Sequence, residues 1–149
     1  MHAELEADSD EDEAEDALVA EMGTLAELDH PNIVKMFGIM PSAPEDGDRK
    51  GYMLLLELCD MDLSNLIHKM KMHSSDAGWR GARGVHLSLR LAEQIASGLA
   101  YLHSDEVAEL IGHGKNMHLD MKPGNVLLKK MSVRETSGCG YTVRLADFG

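Results

Sequence analysis

Cysteine and aromatic residues are scarce in this sequence, as is positive charge near its N-terminus. Two cysteines in 149 residues are too few for a disulfide framework, so free thiols and an intracellular, cytoplasmic location are predicted. No apolar run reaches the length of a membrane-spanning helix, and no basic segment leads into an apolar one as in a signal peptide. With eleven Met, two Phe and one Trp, the core is expected to consist of Leu, Ile, Val and Met.

The net charge of -12 is concentrated at one end of the chain. Residues 1–34 contain twelve acidic residues and no Lys or Arg, whereas the remainder contains fourteen of each sign. Residues 1–16 have too little apolar surface to offset the entropy of ordering, so they are predicted to form an acidic disordered tail. A solvated tail is the simpler interpretation, and a docking tail for a basic partner is the alternative. The absence of a basic cluster argues against nucleic acid or an anionic membrane as partner.

Hydrophobic spacing predicts a helix over residues 16–28, where Leu18, Met22 and Leu25 recur every three or four residues. Glu21 lies on the edge of this apolar stripe and would need a cation if it pointed inward. The strongest predicted helix is "SLRLAEQIASGLAYLH", in which Leu89 is expected to widen the apolar line. A short helix is predicted in "MDLSNLIHKM", and one helical turn in "SDEVAELIGHGKN".

Four segments are predicted to be strands. "IVKMFGIM" and "YMLLLELC" flank a loop rich in Pro, Gly and charge, and the second run is apolar enough to predict burial on both faces. "NVLLKK" and "YTVRLADFG" are separated by turn residues and are expected to form a hairpin. The segment "HSSDAGWRGARGV" contains three glycines and is predicted to be a loop.

The segment "MHLDMKPGNVLL" and the terminal "DFG" combine groups suited to phosphoryl transfer. Such a reaction requires a carboxylate to orient the attacking hydroxyl and a cation near the transferred phosphoryl group. It also requires oxygen ligands for magnesium. Asp120, Lys122, Asn125 and Asp147 supply these groups within one loop and one strand end.

The segments that carry a family resemblance are, in chain order, "HPNIVKMFGI", "LLLELC", "GLAYLH", "HLDMKPGNVLL" and "LADFG". Through them the sequence resembles the protein kinase domain, whose catalytic loop reads H-R-D-L-x-x-x-N before D-F-G. The resemblance covers residues 17–149. It implies an α+β fold, a partial two-lobed kinase-like domain. Residues 17–59 would form part of the small-lobe sheet with its helix, and residues 60–149 the start of the helical lobe.

The resemblance implies roles for the four polar residues. Asp120 would be the catalytic base, and Lys122 would meet the γ-phosphate of ATP, as is typical of the serine/threonine class. Asn125 and Asp147 would bind Mg²⁺. The substrate would then be a protein with a Ser or Thr hydroxyl, while the oligomeric state is not predicted.

The nucleotide-binding positions also follow from the resemblance. Glu21 matches the Glu of the family's movable helix. Glu57 and Cys59 fall at the hinge between the lobes, whose backbone groups bind adenine. Asp62 would reach the ribose, and Leu127 would pack under the adenine.

The sequence also departs from the family pattern. No G-x-G-x-x-G loop precedes residue 17, no strand supplies the Lys that pairs with Glu21, and the chain stops at Gly149 before A-P-E. We therefore expect an interior fragment with negligible kinase activity on its own. The alternative is a pseudokinase or scaffold that binds partners without turnover. Leu119 replaces the family Arg that pairs with activation-segment phosphate, so the hypothesis is altered regulation rather than lost chemistry.

Overall fold

The computed structural model describes Gly23 and residues 26–42, 51–72, 81–110 and 121–146. Their elements run in the order β1 (Met36–Ser42), β2 (Gly51–Leu56), β3 (Met61–Asp62), α1 (Leu63–Met72), α2 (Ala82–Leu102), α3 (Asp105–Leu110), β4 (Val126–Lys130) and β5 (Tyr141–Leu145). Gly23 and Ala26 are helical, and most of the helix predicted over 16–28 lies outside the described residues. The predicted α+β class is confirmed. The division at residue 59 stays a prediction.

Strands β1 and β2 form an antiparallel hairpin, paired from Met36 with Leu56 to Ser42 with Gly51. The prediction that the second strand is buried on both faces is wrong for this chain. The side chains of Met53, Leu54 and Leu55 are about half exposed. The reason is that within the described ranges the hairpin is a two-stranded sheet, and so small a sheet offers little cover to either face.

A second antiparallel sheet has the strand order β3-β4-β5. Its register places Leu128 opposite Val143, and both side chains are fully buried. Because side chains alternate along a strand, Leu127, Lys129 and Arg144 belong to the opposite face. The β4–β5 hairpin therefore has one apolar face toward the core and one face with both apolar and charged side chains, called the mixed face below.

Helix α2 packs on the core through Leu87, Leu91 and Leu102. It begins at Ala82, six residues before the predicted start, so the end of the predicted 73–85 loop is helical. The cause is that Gly84 and Leu87 continue the buried stripe backward by one turn. Leu89 does not widen that stripe, since it is 64% exposed. None of the helices in the described ranges is long and apolar enough to cross a bilayer.

The loop around Asn32 joins the second sheet at the outer edge of β5. The Leu145 N–H donates to the Asn32 carbonyl, and the Val34 N–H donates to the Leu145 carbonyl, each at 2.8 Å. The Gln94 amide of α2 continues this edge, because its oxygen accepts from the Val143 N–H at 3.0 Å. The free edge of β5 is thereby closed by a loop and a side chain instead of a further strand.

Candidate active site

The linker between the two sheets borders a cleft of about 550 Å³. Four of the five predicted nucleotide-binding residues line it: Glu57, Cys59, Asp62 and Leu127. The remainder of the lining is apolar and comprises Leu54, Leu55, Leu56, Leu58 and Met61. The cleft is shallow and open to solvent, and its mainly apolar lining with a few polar groups is a composition found in small-molecule sites.

Backbone hydrogen bonds hold the linker, residues 57–60, at both ends. The Glu57 N–H donates to the Lys35 carbonyl at 2.8 Å, beside β1. The Asp60 N–H donates to the Leu128 carbonyl at 2.9 Å, in β4. The linker, which forms the backbone rim of the cleft, is therefore hydrogen-bonded next to β1 at one end and to β4 at the other.

Lys122 precedes a 3-10 turn, Pro123–Asn125, whose last residue is Asn125 and which leads directly into β4. Lys122 has extended geometry, and its carbonyl accepts from the Asn125 N–H at 2.9 Å, while Pro123 fits the first turn position. The Asn125 carbonyl then accepts from the Ala146 N–H at 3.0 Å. Because Ala146 immediately precedes Asp147, this bond joins the two segments that carry the predicted magnesium ligands.

Several predicted site residues lie outside the described residues, namely Glu21, Asp120 and Asp147, as does Leu119. Their roles stay predictions. Within the described ranges, no group of three His, Cys, Asp or Glu side chains could hold a metal ion. An Asn oxygen with an Asp carboxylate remains chemically suitable for Mg²⁺, which keeps several water ligands in proteins.

The Asp62 carboxylate already has a structural partner. Its Oδ1 accepts from the Asn65 N–H at 2.7 Å, and its Oδ2 accepts from the Asn65 side-chain amide. Asp62 thus caps the N-terminus of α1, which begins at Leu63. The D-x-x-N spacing in "MDLSN" carried this signal, and sequence reasoning missed it.

The Glu57 side chain is bound by two cations from the mixed face of the β4–β5 hairpin. Lys129 Nζ lies 2.6 Å from Glu57 Oε1, and Arg144 Nε lies 2.7 Å from Oε2. The carboxylate is 11% exposed and the Arg144 side chain is 18% exposed, so this ion pair is largely shielded from water. Sequence reasoning assigned Glu57 by its backbone alone and missed both cations.

These contacts determine the protonation states of Glu57 and Cys59 at the cleft. Burial on its own would raise the pKa of Glu57, but the hydrogen bonds from Arg144 and Lys129 outweigh it and leave that pKa lowered. Burial, reinforced by the Glu57 charge, raises the pKa of the Cys59 thiol. Glu57 is therefore ionised at neutral pH, and Cys59 is protonated.

His30 connects the loop at residues 29–35 to α2. Its Nδ1 accepts from the Asn32 N–H at 3.1 Å, and its ring stacks on Tyr101 with centroids 4.8 Å apart. Because Nδ1 is an acceptor here, the neutral ring carries its proton on Nε2, which lies 3.4 Å from Ser97 Oγ. Burial, with the positive charge of Arg144 added, lowers the pKa of His30.

We expect His30 to make the fold less stable under mildly acidic conditions. A lowered pKa in the folded state means that the unfolded chain binds the proton more readily once the pH falls through about 6.5. The free energy of unfolding should thus decrease as the pH falls below that value, measurable by urea denaturation at a series of pH values from 7.5 to 5.5. His30→Asn keeps a hydrogen-bond acceptor without titrating, so its unfolding should lose this part of the slope. An identical slope in both proteins would contradict the assignment.

Comparison with known proteins identifies the family to which the chain belongs. The family profile described as "Protein kinase domain" matches residues 3–149. The chain belongs to this family, and its α+β sheets and helices agree with a partial protein kinase fold.

Serine/threonine kinases are among its relatives. The chain is 33% identical over 134 residues to the serine/threonine-protein kinase par-4 of Caenorhabditis briggsae, covering 90% of this chain and 16% of that protein. It is 25% identical over 123 residues to the proto-oncogene serine/threonine-protein kinase mos of Mus musculus, covering 83% of this chain and 33% of that protein. The transforming protein mos of Moloney murine sarcoma virus (strain HT-1) has the same identity, with 30% of its length covered. The chain thus spans a third or less of these curated relatives.

Proposed function

We propose that the protein is a serine/threonine kinase that transfers the γ-phosphoryl group of Mg-ATP to a protein hydroxyl. The observation that carries the proposal is that Glu57, Cys59, Asp62 and Leu127 line one cleft. Kinase family membership and the serine/threonine kinase relatives support the reaction class. Because the chain spans a third or less of these relatives, the reaction as a whole is part of this proposal.

The cleft has the properties that a nucleoside requires. Its apolar lining suits the faces of an adenine ring, with Leu127 on one side. Among the described residues, neither the Cys59 N–H nor the Glu57 carbonyl is used in a backbone hydrogen bond outside helices and strands. These two groups would pair with the adenine edge. Asp62, at the same cleft, would reach the ribose while capping α1.

The phosphate end of the site would be formed by the catalytic loop. Asp120 would orient the substrate hydroxyl and accept its proton as the oxygen attacks phosphorus, and ADP would leave. Lys122 would neutralise charge on the transferred group. Asn125 and Asp147 would hold Mg²⁺, which when bound neutralises phosphate charge. Glu21 would pair with a Lys, as the Glu of the family's movable helix does.

Nucleotide binding and phosphate transfer by the full-length protein test the proposal together. We expect ATP and ADP to raise its melting temperature, and we expect magnesium-dependent labelling of Ser or Thr in a generic protein substrate. Chelation of the metal should stop the labelling. Binding without any transfer would favour the pseudokinase alternative, and absence of both would contradict the nucleotide site.

A further inference from the structure

Two side chains anchor the linker, residues 57–60: the Glu57 carboxylate at one end, and the Asp60 carboxylate, which accepts from the Lys130 N–H at 2.7 Å, at the other. Leu58 is 87% exposed, and neither Leu58 nor Cys59 makes a backbone hydrogen bond with another described residue. At the Glu57 end of this segment, the Glu57 carboxylate accepts hydrogen bonds from Lys129 and Arg144. The position of residues 57–59, at that end of the rim, therefore depends on what holds the Glu57 carboxylate.

The two cations differ in how strongly they can hold it. Arg144 is mostly buried and contacts both carboxylate oxygens, by Nε at 2.7 Å and more weakly by Nη2 at 3.5 Å. Lys129 makes one contact from a side chain that is 38% exposed. Water screens an exposed pair more than a buried one, so Arg144 should contribute more than Lys129. Loss of either leaves Glu57 partly uncompensated in a shielded position.

The same hairpin face also forms part of the cleft. Leu127 lies opposite Arg144 in the register, and Lys129 follows two residues later on that face. Leu127 lines the same cleft as the linker residues Glu57, Leu58 and Cys59. The contacts of Glu57 thus connect the backbone rim to the hairpin face that carries Leu127.

We propose that Arg144 and Lys129 are positioning residues for nucleoside binding, acting through the Glu57 carboxylate on the backbone of residues 57–59. This inference rests on the proposed function, because it assumes that adenine pairs with that backbone. Neither cation touches the nucleoside in this arrangement. They increase the fraction of molecules whose rim is correctly placed, which lowers the apparent dissociation constant.

The test compares Arg144→Gln and Lys129→Gln with the wild-type full-length protein. Adenosine is the informative ligand because it is neutral, so a lost positive charge cannot weaken it directly as it would weaken ATP. We expect the dissociation constant for adenosine, measured by calorimetry, to rise about tenfold in Arg144→Gln and about threefold in Lys129→Gln. The KM for ATP should rise in the same order while kcat stays within about twofold, because the groups at the phosphate end are unchanged.

A matched control and a conservative variant separate positioning from general stability. Arg90→Gln removes an Arg–Glu pair with Glu93 on α2 that is not part of the cleft, so adenosine affinity should stay at the wild-type value. Arg144→Lys retains the charge and should restore most of the affinity. If Arg144→Gln does not fold, as judged by circular dichroism, Lys129→Gln and Arg144→Lys still provide the comparison.

The possible outcomes are distinct. The inference is overturned, and the proposed function left intact, if folded Arg144→Gln and Lys129→Gln bind adenosine with wild-type affinity. A loss of affinity no larger than that in Arg90→Gln has the same meaning. A wild-type protein that binds neither ATP nor adenosine overturns both. The expected ranking of Arg144→Gln, Lys129→Gln and Arg90→Gln supports both.

Discussion

Asp120→Asn in the full-length protein is expected to reduce kcat by roughly 10²- to 10⁴-fold, the usual contribution of a positioned general base. Asn has nearly the same shape as Asp, so the loop can keep its path. Its amide cannot accept a proton from the attacking hydroxyl, and it carries no charge to orient that hydroxyl. In the proposed function, nucleotide binding depends on the cleft of Glu57 and Leu127, so the dissociation constant for ADP should change by less than about threefold.

Single-turnover phosphate transfer and ADP calorimetry on the same preparation would measure these two quantities separately. Asp105→Asn is the matched control, because Asp105 begins the short helix α3 and does not line the cleft. It should transfer phosphate at the wild-type rate. A rate in Asp120→Asn equal to that of the control would exclude Asp120 as the base.

The parts of the fold that sequence predicted are those determined by local pattern. Hydrophobic spacing predicted the long helix, turn residues between two short strands predicted the β4–β5 hairpin, and the ordered motifs assigned Glu57, Cys59 and Leu127 to one nucleotide site. The start of α2 was missed because Gly81 and Gly84 are typical of loops, whereas the burial of Leu87 by distant parts of the chain favours another helical turn. Tertiary packing overrode the local preference there.

The missed parts of the site depend on contacts far apart in sequence. Glu57 is 72 residues from Lys129 and 87 from Arg144, and nothing near Glu57 in the chain indicates either partner. The contact of Glu57 with these two cations depends on the register of the β4–β5 hairpin, which puts Lys129 and Arg144 on the same face as Leu127. A shift of one residue would send them to the core. By contrast, the cap that Asp62 provides was readable from its own segment.

Gly98→Ala should destabilise the protein by about 1–3 kcal/mol, the usual cost of overpacking a filled core. This loss of stability opposes the intrinsic helix preference, because Ala in a helix interior is normally favoured over Gly by about 1 kcal/mol. Here a Cβ would lie 2.8 Å from Leu145 Cδ1 and 3.1 Å from the Asn32 carbonyl oxygen. Leu145 is 1% exposed and has little room to turn away. That Asn32 oxygen also accepts the Leu145 N–H, so moving the loop would break a buried hydrogen bond.

Urea denaturation would measure this loss, with Gly38→Ala as the matched control. A Cβ at Gly38 would meet nothing within 4 Å, so that variant should stay within about 0.5 kcal/mol of wild type. Equal or greater stability of Gly98→Ala would show that the loop and Leu145 yield easily. The predicted clash matters for function because Leu145 and Ala146 lead directly into Asp147. A shift of β5 away from α2 would move a predicted magnesium ligand relative to Asn125, so Gly98→Ala should also lower kcat in the full-length protein.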